Sequence, residues 1–388
     1  MRHHFLLLGA CGWVLLVLIF VSRFFSFRAV DDYPERTGQS WTVAGSKTRP
    51  APVTIPEKGA ARPSRQVSPC EKQNKKEKHS SGLQATKTLL FQPSADPPEA
   101  AWEQVWERRD ELLSAACRNA SLSGLTHVPV TKFVLDRIFV CDKHKLLFCQ
   151  TPKVGNTQWK KVFIVLNGAF TTVEEIPENL VHDHEKNGLP RLSSFTPHEI
   201  TLRLNTYFKF FIVRDPFERL ISAFKDKFVK NPRFEPWYKH DIAPAIIRKY
   251  RRSHRDSDSE RAGSGLHFED FVRYLGDAEG RRHLDQKFGE SVIHWATYAE
   301  LCAPCEIKYD VVGHHETLER DAQHILRAAG IGGLVSYPAI PPGITRYNRS
   351  KVEHYFSGIS QRDVRRLYAR YQGDFHMFGY SSPDFLLQ

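Results

Sequence analysis

The sequence predicts an α/β fold, a central parallel sheet flanked by helices, placed after an N-terminal membrane anchor and a stem. Three observations predict it. Two apolar runs, residues 146–149 and 208–213, each end abruptly at a turn former and a cation, and a helical pattern follows. A third run over 310–318 leads into another helical pattern, and strands alternating with helices argue for a parallel sheet with helices on its faces. An uncharged stretch over 5–21 and a polar, proline-rich segment after it set this domain off from the N-terminus.

The uncharged stretch is flanked by Arg2, Arg23 and Arg28. It is short for a transmembrane helix but long enough for a thin bilayer. A cleaved signal peptide is the rival reading. Arg23, Phe24, Phe25 and Phe27 crowd the place where a small-x-small cleavage site belongs, which favours an uncleaved anchor. Residues 28–100 are rich in Pro, Ser, Lys and Gln, and such a chain buries too little surface to offset its ordering entropy. The lysines 72–78 read as solvated linker. Asn119 and Asn348 head glycosylation sequons. Outside the anchor there is an even set of cysteines, Cys70, Cys117, Cys141, Cys149, Cys302 and Cys305. Anchor, sequons and cysteines together predict a single-pass type II protein of the secretory pathway. Its parts are a cytoplasmic tail (1–4), a signal-anchor transmembrane helix (5–27), a disordered stem (28–100) and a lumenal domain (101–388).

Within the lumenal domain, Trp102, Val105, Trp106 and Arg109 begin a helical pattern that runs to about Cys117. Two apolar runs, 138–141 and 146–149, flank Asp142-Lys-His-Lys145 and read as a hairpin. Trp159, Val162, Phe163 and Leu166 form one face of the next helix. The nearly continuous apolar run 208–213 is typical of a buried parallel strand. Phe217, Leu220, Ile221, Phe224 and Phe228 mark the amphipathic helix after it. A strand is expected over 310–318 with a helix over 321–329, an exposed loop over 251–264, and a last helix over 360–371.

The chain carries a net charge of +11, but residues 101–388 hold only +5 of it. Nucleic-acid binders concentrate more charge on one face, so nucleic acid is not an expected partner. A small polyanion needs only a few placed cations. A helix N-terminus preceded by a strand presents unpaired N–H groups and a positive dipole end, which is a ready anion site. Two such sites, one with Lys153 and one with Arg214, suggest a ligand with two phosphate-like groups. In the first, Gly155 admits the ligand to the backbone and Thr157 offers a hydroxyl. It is not a Walker A motif and no Walker-B carboxylate is evident, which argues against a magnesium-dependent nucleotide kinase. In the second, an Arg at the end of a parallel strand points into the crevice where α/β ligands bind, and Ser222 is within reach of a phosphate. Asp215 and Glu218 read as capping and ion-pair residues.

His182, His184, His294, His314 and His315 are candidate bases. His182 and His184 make a weak zinc pair, since one residue separates them and no cysteine is near in sequence. Cys302-Ala-Pro-Cys305 lacks the strand and helix of a redox motif, so it reads as a structural disulfide or as half of two separate ones.

The segment Thr151-Pro-Lys-Val-Gly-Asn-Thr-Gln-Trp159 resembles the 5′-phosphosulfate loop of Golgi carbohydrate sulfotransferases. Val213-Arg-Asp-Pro-Phe-Glu-Arg-Leu-Ile-Ser-Ala-Phe224 resembles their 3′-phosphate motif, and the likeness runs from about Lys132 to Leu387. The resemblance implies a P-loop-like sulfotransferase fold, with 101–388 as the catalytic domain. It implies the donor 3′-phosphoadenosine 5′-phosphosulfate and no metal. The 5′-phosphosulfate would lie on Pro152, Lys153, Val154, Gly155, Asn156, Thr157 and Gln158. The 3′-phosphate would lie on Arg214, Asp215, Pro216, Phe217, Glu218, Arg219, Leu220, Ile221 and Ser222. Lys153 would stabilise the leaving oxygen. His184, by its distance to Leu192 and Phe195, would be the base, with His182 second. The implied acceptor is the 3-hydroxyl of terminal glucuronic acid on lactosamine glycans of glycoproteins and glycolipids, giving the human-natural-killer epitope at the Golgi membrane, with a glucuronyltransferase as partner. The alternatives are 4-O-sulfation of N-acetylgalactosamine in chondroitin or dermatan-type glycans, and a tethered glycan-binding module without catalysis.

Overall fold

The computed structural model describes residues 99–183, 185–230, 235–251 and 265–387. The anchor, the stem up to residue 98, Cys70, His184 and nearly all of the loop 251–264 lie outside the described residues. In chain order the elements are α1 (Glu99–Arg118), β1 (Ile138–Cys141), β2 (Leu146–Cys149), α2 (Asn156–Leu166), α3 (Pro197–Thr206), β3 (Phe208–Val213) and α4 (Pro216–Phe224). They continue as α5 (Ala243–Tyr250), α6 (Phe268–Gly276), α7 (Ala278–Phe288), β4 (Val311–His314), α8 (Leu318–Ala328), α9 (Arg349–Phe356) and α10 (Gln361–Met377).

The sheet runs β1-β2-β3-β4. The predicted hairpin is present: β1 pairs antiparallel with β2, Phe139 opposite Phe148. The other two pairings are parallel, Leu146 opposite Phe208 and Phe210 opposite Val311. The sheet is therefore mostly parallel. The loops after β2, β3 and β4 all leave from one end, and that end carries both anion segments.

Side-chain alternation explains why both faces are covered. Phe139, Phe148, Phe210 and Ile212 face Trp159, Val162, Phe163 and Leu166 of α2 and Leu318, Ala322 and Ile325 of α8. Val140, Leu147, Phe211 and Val213 face the other way, onto α1, the helix Tyr298–Cys302 and Met377. A further apolar cluster joins α4, α5, α6 and α10. Fully burying an aromatic or aliphatic side chain is worth roughly 1.5–3 kcal/mol, so the α2 face read from its periodicity is the main reason that helix stays on the sheet.

Two expectations need correction. The strand at 310–318 ends at His314, and α8 begins at Leu318. Asp321 accepts from the His314 N–H at 2.7 Å and from the Thr317 hydroxyl at 2.7 Å, which pulls 315–317 into a turn. Trp106 and Arg109 of α1 donate to the same carboxylate, at 2.7 and 2.8 Å, and lock α1 over this corner. The helix expected through Phe228 is α-helical only to Phe224, and Lys225–Lys230 is a π-helix. The cysteines form two separate bridges, Cys117–Cys305 and Cys149–Cys302. Among the described residues Cys141 is unbridged and buried. Among the described residues no helix is long and apolar enough to cross a membrane.

Candidate active site

The loop between β2 and α2 is stitched to both neighbouring strands. The Gln150 N–H donates to the Arg137 carbonyl at 2.7 Å, just before β1. The Thr151 hydroxyl donates to the Ile212 carbonyl of β3. Asn156 Nδ2 donates back to the Thr151 carbonyl at 2.6 Å and closes the turn. Within the loop Lys153 has φ 76° and Gly155 φ 96°. A left-handed lysine stores strain of about 1–3 kcal/mol, a cost met where a site holds it. At Gly155 a Cβ would come within 3.1 Å of Leu318 Cδ2 and 3.2 Å of Tyr337 Oη. Pro152 and Val154 are buried and hold the loop from beneath. No side chain caps α2; the Gln158 N–H is taken by the Gly155 carbonyl at 3.1 Å, and the helix start turns its remaining N–H groups toward an anion. Asn156 Oδ1 and Gln158 Oε1 are buried without a partner at the same place. Thr157 Oγ1 lies 3.5 Å from His182 Nε2.

Lys153 reaches Asp226 of the π-helix, Nζ to Oδ2 2.8 Å. Burial lowers the lysine's pKa, Asp226 opposes that fall, and Lys227 and Arg214 add to it. The ammonium is thus held over the loop by one carboxylate.

The second segment begins where β3 ends. The Arg214 N–H donates to Tyr298 Oη at 2.7 Å, and that hydroxyl donates back to the Arg214 carbonyl at 3.0 Å. Arg214 Nη1 donates to the Lys153 carbonyl at 3.3 Å, so the two loops touch. Its Nη2 donates to Glu218 at 3.1 Å, and its Nε is buried with no partner. Asp215 caps α4, accepting from the Glu218 N–H at 2.8 Å. Glu218 also receives Lys351 Nζ at 3.0 Å. Capping and ion pairing are thus the geometric roles of these two carboxylates. Burial, then the nearby Glu316 and Glu218, push Asp215 up to about 7. Unlike α2, α4 has its N-terminus already served by its own aspartate.

The side chains of Phe217, Leu220 and Ile221 are turned into the apolar cluster, and Pro216 is buried. Arg219 is fully buried, donates to the carbonyls of His294 and Ala296, and lies 4.6 Å over the Tyr298 ring. These five brace α4, while Arg214 is buried just before it and Ser222 is half-buried within it. Asn119 and Asn348 are both exposed.

The histidines separate. His182 stands beside Thr157, and inner desolvation with the Lys160 charge lowers its pKa, which favours a neutral imidazole. His315 is buried and pushed down to about 3, by burial first and then by Arg214. His314 is held well below its ordinary value by burial, against the Tyr380 ring. Burial and then Lys227, Lys153 and other cations hold His294 down. Sequence reading missed Asp226, Tyr298 and Glu316. Glu316 accepts from the Asp215 N–H at 2.9 Å and from Tyr380 Oη at 3.0 Å. It stood in the 310–318 run, but nothing local said it would meet α4.

Comparison with known proteins agrees with this geometry. The model of the sulfotransferase family matches residues 136–381, which include both loops. Carbohydrate sulfotransferase 10 of Danio rerio is 67% identical over 391 residues, covering 100% of each chain. Carbohydrate sulfotransferase 10 of Homo sapiens is 59% identical over 387 residues, again covering 100% of each. Carbohydrate sulfotransferase 11 of Rattus norvegicus is 36% identical over 281 residues, 72% of this chain and 76% of that one. No solved structure matches. An uncapped helix N-terminus with its lysine, an arginine at the end of the adjacent strand, and this match across both lead to one statement: the chain belongs to the sulfotransferase family.

Proposed function

We propose that this sulfotransferase moves a sulfuryl group from 3′-phosphoadenosine 5′-phosphosulfate to the 3-hydroxyl of terminal glucuronic acid on lactosamine glycans of glycoproteins and glycolipids, forming the human-natural-killer epitope. It does so in the Golgi lumen, as a type II membrane protein with a lumenal catalytic domain and a glucuronyltransferase partner. The observation that carries the reading is the contact between the two cationic loops, Arg214 Nη1 to the Lys153 carbonyl. A ligand with an anion at each end spans such a pair, and the names of the full-length relatives supply the reaction class.

The loop 152–158 fits a phosphosulfate by its α2 N-terminus, which no side chain caps, and by the left-handed Gly155, packed against Leu318 and Tyr337, which turns the backbone into that helix. Arg214 and Ser222 receive the 3′-phosphate. The sugar hydroxyl gives its proton to a base, its oxygen bonds to sulfur, and the bond from sulfur to the phosphate oxygen breaks. Charge grows on that leaving oxygen, where a preorganised cation helps most. Lys153 takes this role, and Asp226 holds it ready. His184 is the proposed base, with His182 two residues away beside Thr157. His184→Ala is expected to lower kcat while donor affinity holds. A change confined to donor affinity rejects the assignment.

The direct test incubates the full chain with radiolabelled donor and a panel of glucuronyl-lactosamine and chondroitin-type acceptors, then maps the labelled hydroxyl. Label at O3 of a terminal glucuronate supports the reading. Label at O4 of N-acetylgalactosamine favours the alternative.

A further inference from the structure

Beside the Lys153 loop, cations gather around one aromatic ring. Lys160 Nζ lies 5.2 Å and Arg191 Cζ 5.6 Å from the centre of the Phe139 ring. Arg137 immediately precedes β1. Lys160 and Arg137 are each only 2% exposed. Lys160 has no carboxylate partner among the described residues: burial, then Arg191 and Arg137, bring it down to about 8, and no acidic group opposes them. Arg137 Nε and Nη2 are buried without a hydrogen-bond partner. The Glu290 carboxylate approaches Nη2 to 3.3 Å, but it is 70% exposed and out of line for a hydrogen bond. Arg191 Nη1 donates to the Asp136 carbonyl at 2.8 Å, and the Asp136 carboxylate is engaged by Lys132 and Ser193.

Packing like charges out of water is costly unless an anion neutralises them. Folding alone does not require it here, since a methionine at 160 would cover Phe139 as well. The cluster adjoins the reacting loop. Lys160 lies one turn after Thr157 on α2, about 4.5 Å along the axis. Arg137 accepts the Gln150 N–H that starts the loop. The planar Arg137 guanidinium, with Nε lacking a hydrogen bond and Nη2 ion-paired only to the exposed Glu290, suits a carboxylate. The carboxyl group and the 3-hydroxyl of a glucuronate leave the ring equatorially, a ring's breadth apart.

We propose that Arg137, Lys160 and Arg191 form the acceptor's carboxylate site, holding the terminal hexuronate so that its hydroxyl meets the Lys153 loop. This rests on the reading of the acceptor given above. It makes Lys160 a specificity-determining residue.

The test compares a glucuronyl-lactosamine acceptor with the same glycan whose carboxyl group has been reduced to the alcohol. Both are measured for kcat/KM, and both are titrated calorimetrically onto the full chain saturated with 3′-phosphoadenosine 5′-phosphate. In the unmodified protein the acid is the better substrate and ligand. Lys160→Met and, separately, Arg191→Gln reduce the acid-to-alcohol preference by on the order of tenfold to a hundredfold, through KM. Thermal unfolding and affinity for the nucleotide product show whether each variant is folded. An equal loss on both acceptors, a loss of nucleotide affinity in place of acceptor affinity, or an undiminished preference overturns the proposal. Turnover of both acceptors without preference by the unmodified protein overturns it while leaving the proposed reaction standing. No turnover of glucuronyl acceptors overturns the proposed reaction, and the binding arm then still decides the carboxylate site.

Discussion

Lys153 combines three costs, a left-handed backbone, partial burial and a pKa lowered by that burial. Such costs persist where surrounding structure over-determines a residue, and here Asp226 and the Arg214 contact do so. Lys153→Ala is expected to lower kcat by about 100- to 1000-fold with modest change in nucleotide-product affinity, read by single-turnover kinetics beside calorimetry. Near-normal turnover would remove Lys153 from the mechanism. Lys160 offers a separate test through pH. Its pKa falls from 10.5 to about 8. Between those values the unfolded chain keeps a proton that the folded chain has released, so stability contributed by this group rises with pH across that window. Below about 8 its buried charge costs on the order of 3 kcal/mol. Lys160→Met is therefore expected to be more stable than the unmodified protein at pH 7, with the gap closing toward pH 10.5. Denaturant unfolding across pH checks this. Lys153 was legible because it breaks an apolar run at a turn. Asp226, 73 residues away, was not, since no local pattern names a partner at that distance.

At the scale of elements, the site is two strand–loop–helix units with unlike helix starts. The α2 N-terminus is uncapped by any side chain, whereas α4 carries Asp215 as its cap. The sequence reads an anion site at each start and Asp215 as a cap, since Asp215 followed by Pro216 is a cap signature. Gly155→Ala is expected to destabilise the fold by roughly 1–3 kcal/mol through its positive φ, and to weaken nucleotide binding by shifting the loop, because a Cβ there meets Leu318 at 3.1 Å and Tyr337 at 3.2 Å. Urea unfolding and calorimetry read the two effects separately, and an alanine variant with unchanged affinity would exclude a role for this packing in binding. The π-helix Lys225–Lys230 continues α4 and bears both Asp226 and Lys227. Widened turns of this kind occur often at functional sites, and a plain amphipathic pattern does not reveal one.

For the whole molecule, the bridges Cys117–Cys305 and Cys149–Cys302 tie α1 and β2 to the segment that carries Tyr298, the residue that clamps Arg214. The second spans 153 residues. Closing so long a loop removes unfolded-state entropy worth roughly 4–5 kcal/mol. Paired Cys149→Ala and Cys302→Ala substitution is expected to lower stability by about that amount, measured without reductant, and to reduce nucleotide affinity if Tyr298 shifts. Parallel strands, the faces of α2 and α4, both loops and the reaction class were determined by the sequence, because each is written in local periodicity, in a turn beside a cation, or in an unbroken motif. Tertiary structure alone decided which cysteines bond, that Asp321 ends β4, that Asp226 holds Lys153, and that Lys160 and Arg191 meet over Phe139 near Arg137. Those arrangements join residues far apart in the chain, and charge or thiol chemistry has no period from which a partner at long range is read.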